Sequence, residues 1–442
     1  MTVLPLSLQQ AENMPPGFAR ATNVPVLAAR FGAGLRPERL ARAFEAVVAR
    51  HQALRLRLVL DDGEPRQDIA PPGGLTVEES FLPGAPDDAE LTRLFEGVLA
   101  EPGDLAKEGP VTARLLRLGD GGHAALFAVR HVAADGWSVG VLNRDIRLLY
   151  LGERLPDLDA DHYHRYVRHQ RAQGDELTPR QREFFLSSLG GVPVLPARRP
   201  FGREPATFYH HAGRRLGADE TVALYGLARR LRTTPAKVVM AAAFLAVRAY
   251  FGQESFGVLD VSAGRGRGQA DWVGLLSRGV PLPVTAPGDM AVGRFVAEVH
   301  RHSMRALLML TGPYSLRRAL ALPYGNGGMA EALNRRFWTD GTPASHSVMF
   351  NCLTVPPMPA APFGTDVSFT PLWPLAPLAP DKSRISDLDV LPVVDGTSLT
   401  LTVAAHPGVH DEADAGSVLD RLERLLTGWA RDWDPGKPLG RL

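Results

Sequence analysis

Arg130-His131-Val132-Ala133-Ala134-Asp135-Gly136-Trp137-Ser138 is the stretch on which the reading of this sequence turns. It follows Ala124 to Val129, an almost continuously apolar run of the kind found in strands buried on both faces. It precedes Ser138 to Tyr150, where apolar residues return at helical spacing. A histidine at the end of a buried strand stands in a loop held by a rigid scaffold, as site residues often do. Imidazole titrates near neutrality, which suits removal of a proton from a nucleophile. Asp135 lies four residues on, and Gly136 permits a backbone turn that a side chain would block. The residues alone leave two readings open, a structural histidine at a strand end or a general base.

Working outward, Val111 to Leu118 reads as a strand joined to the buried run by the turn Gly119-Asp120-Gly121-Gly122. Pro37 to Arg50 reads as a helix, with Leu40, Phe44, Val47 and Val48 on one face. Arg55 to Leu60 alternates as a strand, and Asp61-Asp62-Gly63 is a hairpin turn signal. Asp88 to Leu99 and Pro179 to Leu189 are further helices. Gly190, Gly191, Pro193, Pro196 and Pro200 mark a break, which divides the chain into residues 1–190 and 191–442. In the second part, Asp219 to Arg232 and Pro235 to Tyr250 read as helices and Gly257 to Ser262 as a strand. Pro281 to Gly288 reads as a boundary, and residues 320–385 are rich in Pro and Gly. Leu399 to Val403 alternates as a strand, and Ala415 to Trp429 is an amphipathic helix. Each half is mixed α/β.

Composition narrows the function classes. A chain of 442 residues, 45% of them hydrophobic, exceeds one ordinary core and favours two domains. Basic and acidic residues number 49 and 48, so neither nucleic acid nor an anionic membrane is an expected partner. No run of consecutive apolar residues reaches membrane-span length, and Met1 to Gln10 lacks the layout of a secretion signal. The single cysteine, Cys352, cannot form an internal disulfide, which fits a reducing cytoplasm. His162, His164 and His169 lack the cysteine or acidic cluster that would complete a metal set, and read as a polar helix face. His210 and His211 lie in a strand and face opposite ways, so no metal site is expected there either. Arg229-Arg230-Leu231-Arg232 reads as a solvated helix end or as a docking patch for an acidic carrier.

The His131 stretch resembles the His-His-x-x-x-Asp-Gly motif of the condensation domains of nonribosomal peptide synthetases, within the chloramphenicol acetyltransferase-like superfamily. The catalytic second histidine of that motif falls on His131, its Asp on Asp135, its Gly on Gly136, and Trp137-Ser138 matches its usual continuation. Arg50-His51-Gln52-Ala53-Leu54-Arg55 is similar to the family's Arg-His-Glu-x-Leu-Arg. Tyr163, Tyr166 and Gln170 match its Tyr-x-Asp-Tyr-x-x-Trp-Gln segment, and Ala263-Gly264-Arg265 with Val273-Gly274 matches two later ones. Phe350-Asn351 fits a late strand in which an asparagine faces the channel. Departures are Arg130 at the first histidine, Arg165 at the Asp of the tyrosine segment and Leu276-Ser277-Arg278 at Phe-Val-Asn. The opening Ser-x-x-Gln motif stands as Ser7-Leu8-Gln9-Gln10.

The resemblance implies two chloramphenicol-acetyltransferase-like α/β domains in a V-shaped pseudo-dimer with a central channel. It implies His131 as general base, and Asp135 turned away to pair with Arg265, positioning the loop. Candidate oxyanion or substrate contacts are the Gly136 amide, Ser138, Asn351, Trp137 and Arg130. The implied donor is an acyl thioester on the phosphopantetheine arm of an acyl or peptidyl carrier protein, or on coenzyme A. The acceptor is a small amine or alcohol, and no cofactor is permanently bound. The chain carries no adenylation or carrier domain up to Leu442, so a stand-alone enzyme with partners in trans is expected. The rival is a non-catalytic condensation-like module that binds a carrier or a tailoring enzyme, which the loss of the first histidine favours.

Overall fold

The structure, a computed structural model, describes residues 3–13, 23–62, 64–101, 104–196, 209–324, 345–354, 359–372, 386–395 and 398–442. Gly63, Pro200 and most of the Pro- and Gly-rich stretch between 320 and 385 lie outside them. The chain forms two compact units of mixed α/β structure. One holds Met1–Ala172, Ala263–Ser277 and Met358–Ser383; the other holds Gln173–Ser262, Arg278–Pro357 and Arg384–Leu442. The division therefore falls at residue 172, not 190, and two segments of the second half belong to the first unit. The helix Pro179–Leu189 sets this boundary, because its Phe185 and Leu189 are buried in the second unit's core.

The first unit is built on a five-stranded sheet, ordered Phe369–Pro371, Asn23–Phe31, His123–Arg130, Val111–Leu118, Glu78–Leu82. The central strand His123–Arg130 alternates between two cores. Ala125, Phe127 and Val129 pack with Leu40, Phe44 and Val47 of the helix Pro37–Arg50 and with Leu142 and Ile146 of the helix Gly136–Leu151. Ala124, Leu126 and Ala128 pack with Leu91, Phe95 and Leu99 of the helix Asp88–Ala100. Helices on both faces explain why this strand reads as a continuous apolar run.

In the second unit, an eight-stranded mixed sheet shares one core with the helix Pro235–Phe251, ten of whose residues are buried. Pro281 and Pro283, read from sequence as a boundary, lie inside the strand Arg278–Thr285. Among the described residues that strand is at the sheet edge, paired with Ser255–Ser262 alone, so the missing proline N–H groups break no second ladder. Among the described residues, no single helix is long and apolar enough to cross a membrane.

A second correction concerns His162, at the start of the helix His162–Gln173. It is not on a polar face. Its side chain is fully buried 5.6 Å from Trp272 and 6.4 Å from His51, and its Nδ1 donates to the Asp159 carbonyl at 2.8 Å. Burial, then His51 and the cations Arg50 and Arg55, push its pKa down to about 4. The folded protein thus holds His162 neutral where the unfolded chain takes up a proton, so stability is lost as pH falls from about 6.5 toward 4. His51, buried at Asp145, is shifted the same way. Urea unfolding at pH 7 and pH 5 should show His162→Phe losing about 2 kcal/mol less than wild type over that interval. An unchanged pH dependence in the variant would contradict the assignment.

Candidate active site

The strand His123–Arg130 ends in a tight turn in which the Ala133 N–H donates to the Arg130 carbonyl at 2.8 Å. His131 Nδ1 lies 2.7 Å from the Ala134 carbonyl oxygen. A carbonyl only accepts, so Nδ1 carries the proton and the lone pair is on Nε2. Nε2 has no hydrogen-bond partner among the described residues. The same loop is held from below, where Gln10 Nε2 donates to the Val132 carbonyl at 3.1 Å. Gln10 is fully buried and also meets Tyr163 Oη at 2.8 Å and Gln67 Oε1 at 3.2 Å. Ser7 and Gln10 cap one another, with Ser7 N–H to Gln10 Oε1 at 2.7 Å and Gln10 N–H to Ser7 Oγ at 3.1 Å. The support given by Gln10 and Gln67 was not read from the sequence; the Ser-x-x-Gln spacing of a capping box was its signal.

Asp135 is the N-cap of the helix Gly136–Leu151. Its Oδ1 accepts from the Ser138 N–H at 3.0 Å and from Ser138 Oγ at 2.8 Å. Its Oδ2 accepts from the Leu276 N–H at 2.9 Å, the Ser277 N–H at 2.8 Å and Arg265 Nη1. Burial alone raises the Asp135 carboxyl, but the Arg265 guanidinium and the Ser138 donors outweigh it and hold the group below the usual carboxylate range. Arg265 reaches further, to the Ala263 carbonyl at 2.7 Å and to Ser138 Oγ at 3.0 Å. Gly264 makes this segment possible. Its φ is +65°, and a Cβ there would sit 1.9 Å from the Leu276 carbonyl oxygen. Asp135 and Arg265 thus tie residues 263–277 to the loop that carries His131.

This geometry removes two candidates from the sequence reading. Ser138 is not a free oxyanion donor. Its hydroxyl accepts from the Gly274 N–H at 3.1 Å and from Arg265, while its proton faces Asp135 and the Gly274 carbonyl. Arg130, 6% exposed, is not placed as a substrate contact. Its Nη2 donates to the Glu101 carbonyl at 3.0 Å, at the C-terminal end of the helix Asp88–Ala100, where a cation is favoured by the helix dipole. Trp137 is 38% exposed and is no core residue, with its indole N–H on the Ala270 carbonyl at 2.8 Å. The Gly136 amide, in the first helical turn, has no hydrogen-bond partner among the described residues. Asn351 belongs to the second unit, just past the strand Val348–Phe350, and is half-buried.

The Condensation domain family matches residues 18–323 of this sequence. The chain belongs to that family. A probable non-canonical nonribosomal peptide synthetase, CymA of Salinispora arenicola, is 28% identical over 474 residues, covering 100% of this chain and 6% of that protein. Surfactin synthase subunit 1 of Bacillus subtilis is 28% identical over 239 residues, 53% of this chain and again 6% of the relative. The chain therefore spans a small fraction of the length of these relatives. The crystal structure of SgcC5 from Streptomyces globisporus superposes with a TM-score of 0.75 at 21% identity, covering 98% of this chain and 100% of that one. The fold is that of the condensation domains, chloramphenicol-acetyltransferase-like. Condensation domains work in nonribosomal peptide synthesis, where they join acyl groups held on carrier proteins.

Within that family setting, the Asp135–Arg265 pair is a buried charge pair, with side chains 1% and 5% exposed. Asp135→Asn leaves the guanidinium without its anion, and Arg265→Gln leaves the carboxylate without its cation. Each single change should cost about 3 kcal/mol in urea unfolding, whereas the double variant leaves no orphan charge and should cost less than the sum by more than about 1 kcal/mol. Strictly additive losses would contradict the pairing.

Proposed function

We propose that the chain is a condensation-type acyltransferase. It joins an acyl group, held as a thioester on the phosphopantetheine arm of an acyl or peptidyl carrier protein or on coenzyme A, to an amine or alcohol in secondary-metabolite biosynthesis. The observation that carries this reading is the 2.7 Å hydrogen bond from His131 Nδ1 to the Ala134 carbonyl. It keeps the imidazole lone pair on Nε2, the arrangement a general base needs.

Nε2 takes the proton of the attacking amine or hydroxyl as the new bond to the acyl carbon forms. The tetrahedral adduct then breaks its carbon–sulfur bond, and the imidazolium returns the proton to the departing pantetheine sulfur. The thioester is already activated, so no acyl-enzyme is required and holding the two reactants in line supplies much of the rate. Asp135 is not the orienting acid of a triad in this scheme, because its oxygens are taken by Ser138, Leu276, Ser277 and Arg265. The Gly136 amide, at the positive end of its helix, is the proposed oxyanion donor. Asn351 and Trp137 stay proposed substrate contacts. SgcC5 has been seen in complex with a naphthyl ethanediol, which supports keeping alcohols among the acceptors.

His131→Ala should lower transfer from an acyl-loaded carrier by roughly two to four orders of magnitude, the usual worth of a general base. Single-turnover release of the pantetheine thiol reads this directly. Near-normal transfer by a folded variant would sink the base assignment and favour the binding-module reading that Arg130 motivates.

A further inference from the structure

The second unit carries a groove of about 490 Å³ that no step of the proposed acyl transfer uses. It runs along the last turns of the helix Glu412–Arg431 and is bordered by the tail that follows. The tail is fixed in place. Val292 and Gly293 N–H groups donate to the Lys437 and Pro435 carbonyls, both at 2.9 Å, and the Leu439 and Gly440 N–H groups donate to the Met290 and Gly288 carbonyls at 2.9 and 2.8 Å. The groove is therefore preformed, and its volume lies in the range of small-molecule sites.

Its walls are cationic. Arg421, Arg424, Arg431, Lys437 and Arg441 line it together with Asp432, Asp434 and Leu442. Among the described residues, none of the five cations forms a salt bridge with an aspartate or a glutamate. Arg421 Nη2 donates to the Leu442 backbone oxygen at 2.8 Å and Arg424 Nε to the Asp420 backbone oxygen at 3.3 Å. Arg421 also feels the like charges of Arg424 and Arg248. Elsewhere the chain pairs its arginines readily, as Arg30, Arg144 and Arg318 do with aspartates. The floor is apolar, made of Val292, Leu425 and Trp429. Trp429 is only 4% exposed, and its indole N–H has no hydrogen-bond partner among the described residues. Arg421, Arg424, Leu425 and Gly428 recur at helical spacing, so one face of the helix supplies both cations and floor.

We propose that this groove binds a small phosphorylated ligand, with the phosphate groups held by the arginine and lysine rim. Planar guanidinium groups match phosphate oxygens in bidentate geometry, and a concave surface of this size suits a nucleotide-sized molecule more than an extended acidic peptide.

Isothermal titration of the full chain with inorganic pyrophosphate and with adenosine diphosphate tests this. Both should bind saturably at one site. Arg424→Ala and Lys437→Ala should each weaken binding by about tenfold, or about 1.4 kcal/mol. Gly428→Phe projects a ring into the groove from a position where a Cβ meets nothing within 4 Å. It should abolish binding while urea unfolding stays close to wild type. Absence of saturable binding, affinities unmoved by all three substitutions, or binding of poly-glutamate but neither phosphate probe would each overturn the proposal.

Discussion

The buried carboxylate of Asp135 is the interaction on which the arrangement around His131 depends. It starts the helix Gly136–Leu151 as its N-cap and simultaneously accepts from two backbone amides and a guanidinium in residues 263–277. A carboxylate excluded from water is costly unless its lone pairs are filled by charge-assisted donors, and here they are. The consequence for chemistry is one of division of labour. Because Asp135 is fully engaged, it cannot orient the imidazole, and that task falls to the Ala134 carbonyl in the same turn.

The surrounding layers make such a loop rigid. Its strand is packed by helices on both faces, its following helix is capped by Asp135, and its middle carbonyl is held by buried Gln10. His51 and Asp145 serve the same helix from another side. The Asp145 carboxylate, fully buried, receives His51 Nε2 at 3.0 Å, Arg50 Nε at 3.3 Å and Arg144 Nη2 at 2.6 Å. Removing any one group from such a network leaves another buried and unpaired, which makes substitution there costly in stability.

Much of this was legible in the sequence because the signals were local. Helical periodicity marked Pro37–Arg50 and Pro179–Leu189, and the continuous apolar run marked the central strand. The motif around His131 pointed to the family that the match over residues 18–323 establishes. What was not legible depended on the partner surface. Pro281 and Pro283 read as a break because proline removes a donor, yet an edge strand leaves that donor unneeded. His162 read as solvated because its neighbours are polar, but it turns inward onto Trp272. Ser138 looked like a spare hydroxyl until Gly274 and Arg265 were seen to occupy it. The unit boundary at residue 172 was hidden because segments from far along the chain return to the first unit.

Acting as the base requires His131 to present a neutral ring with its proton on Nδ1. Nitrogen-15 NMR of the histidine-labelled protein, assigned by comparison with a His131→Gln variant, reads the tautomer at a pH where the ring is neutral. A proton held on Nδ1 by the Ala134 carbonyl gives a protonated, pyrrole-type signal for Nδ1 and an unprotonated, pyridine-type signal for Nε2. The opposite tautomer, with the proton on Nε2, would contradict it, because the atom facing away from Ala134 would then have no lone pair with which to accept a proton.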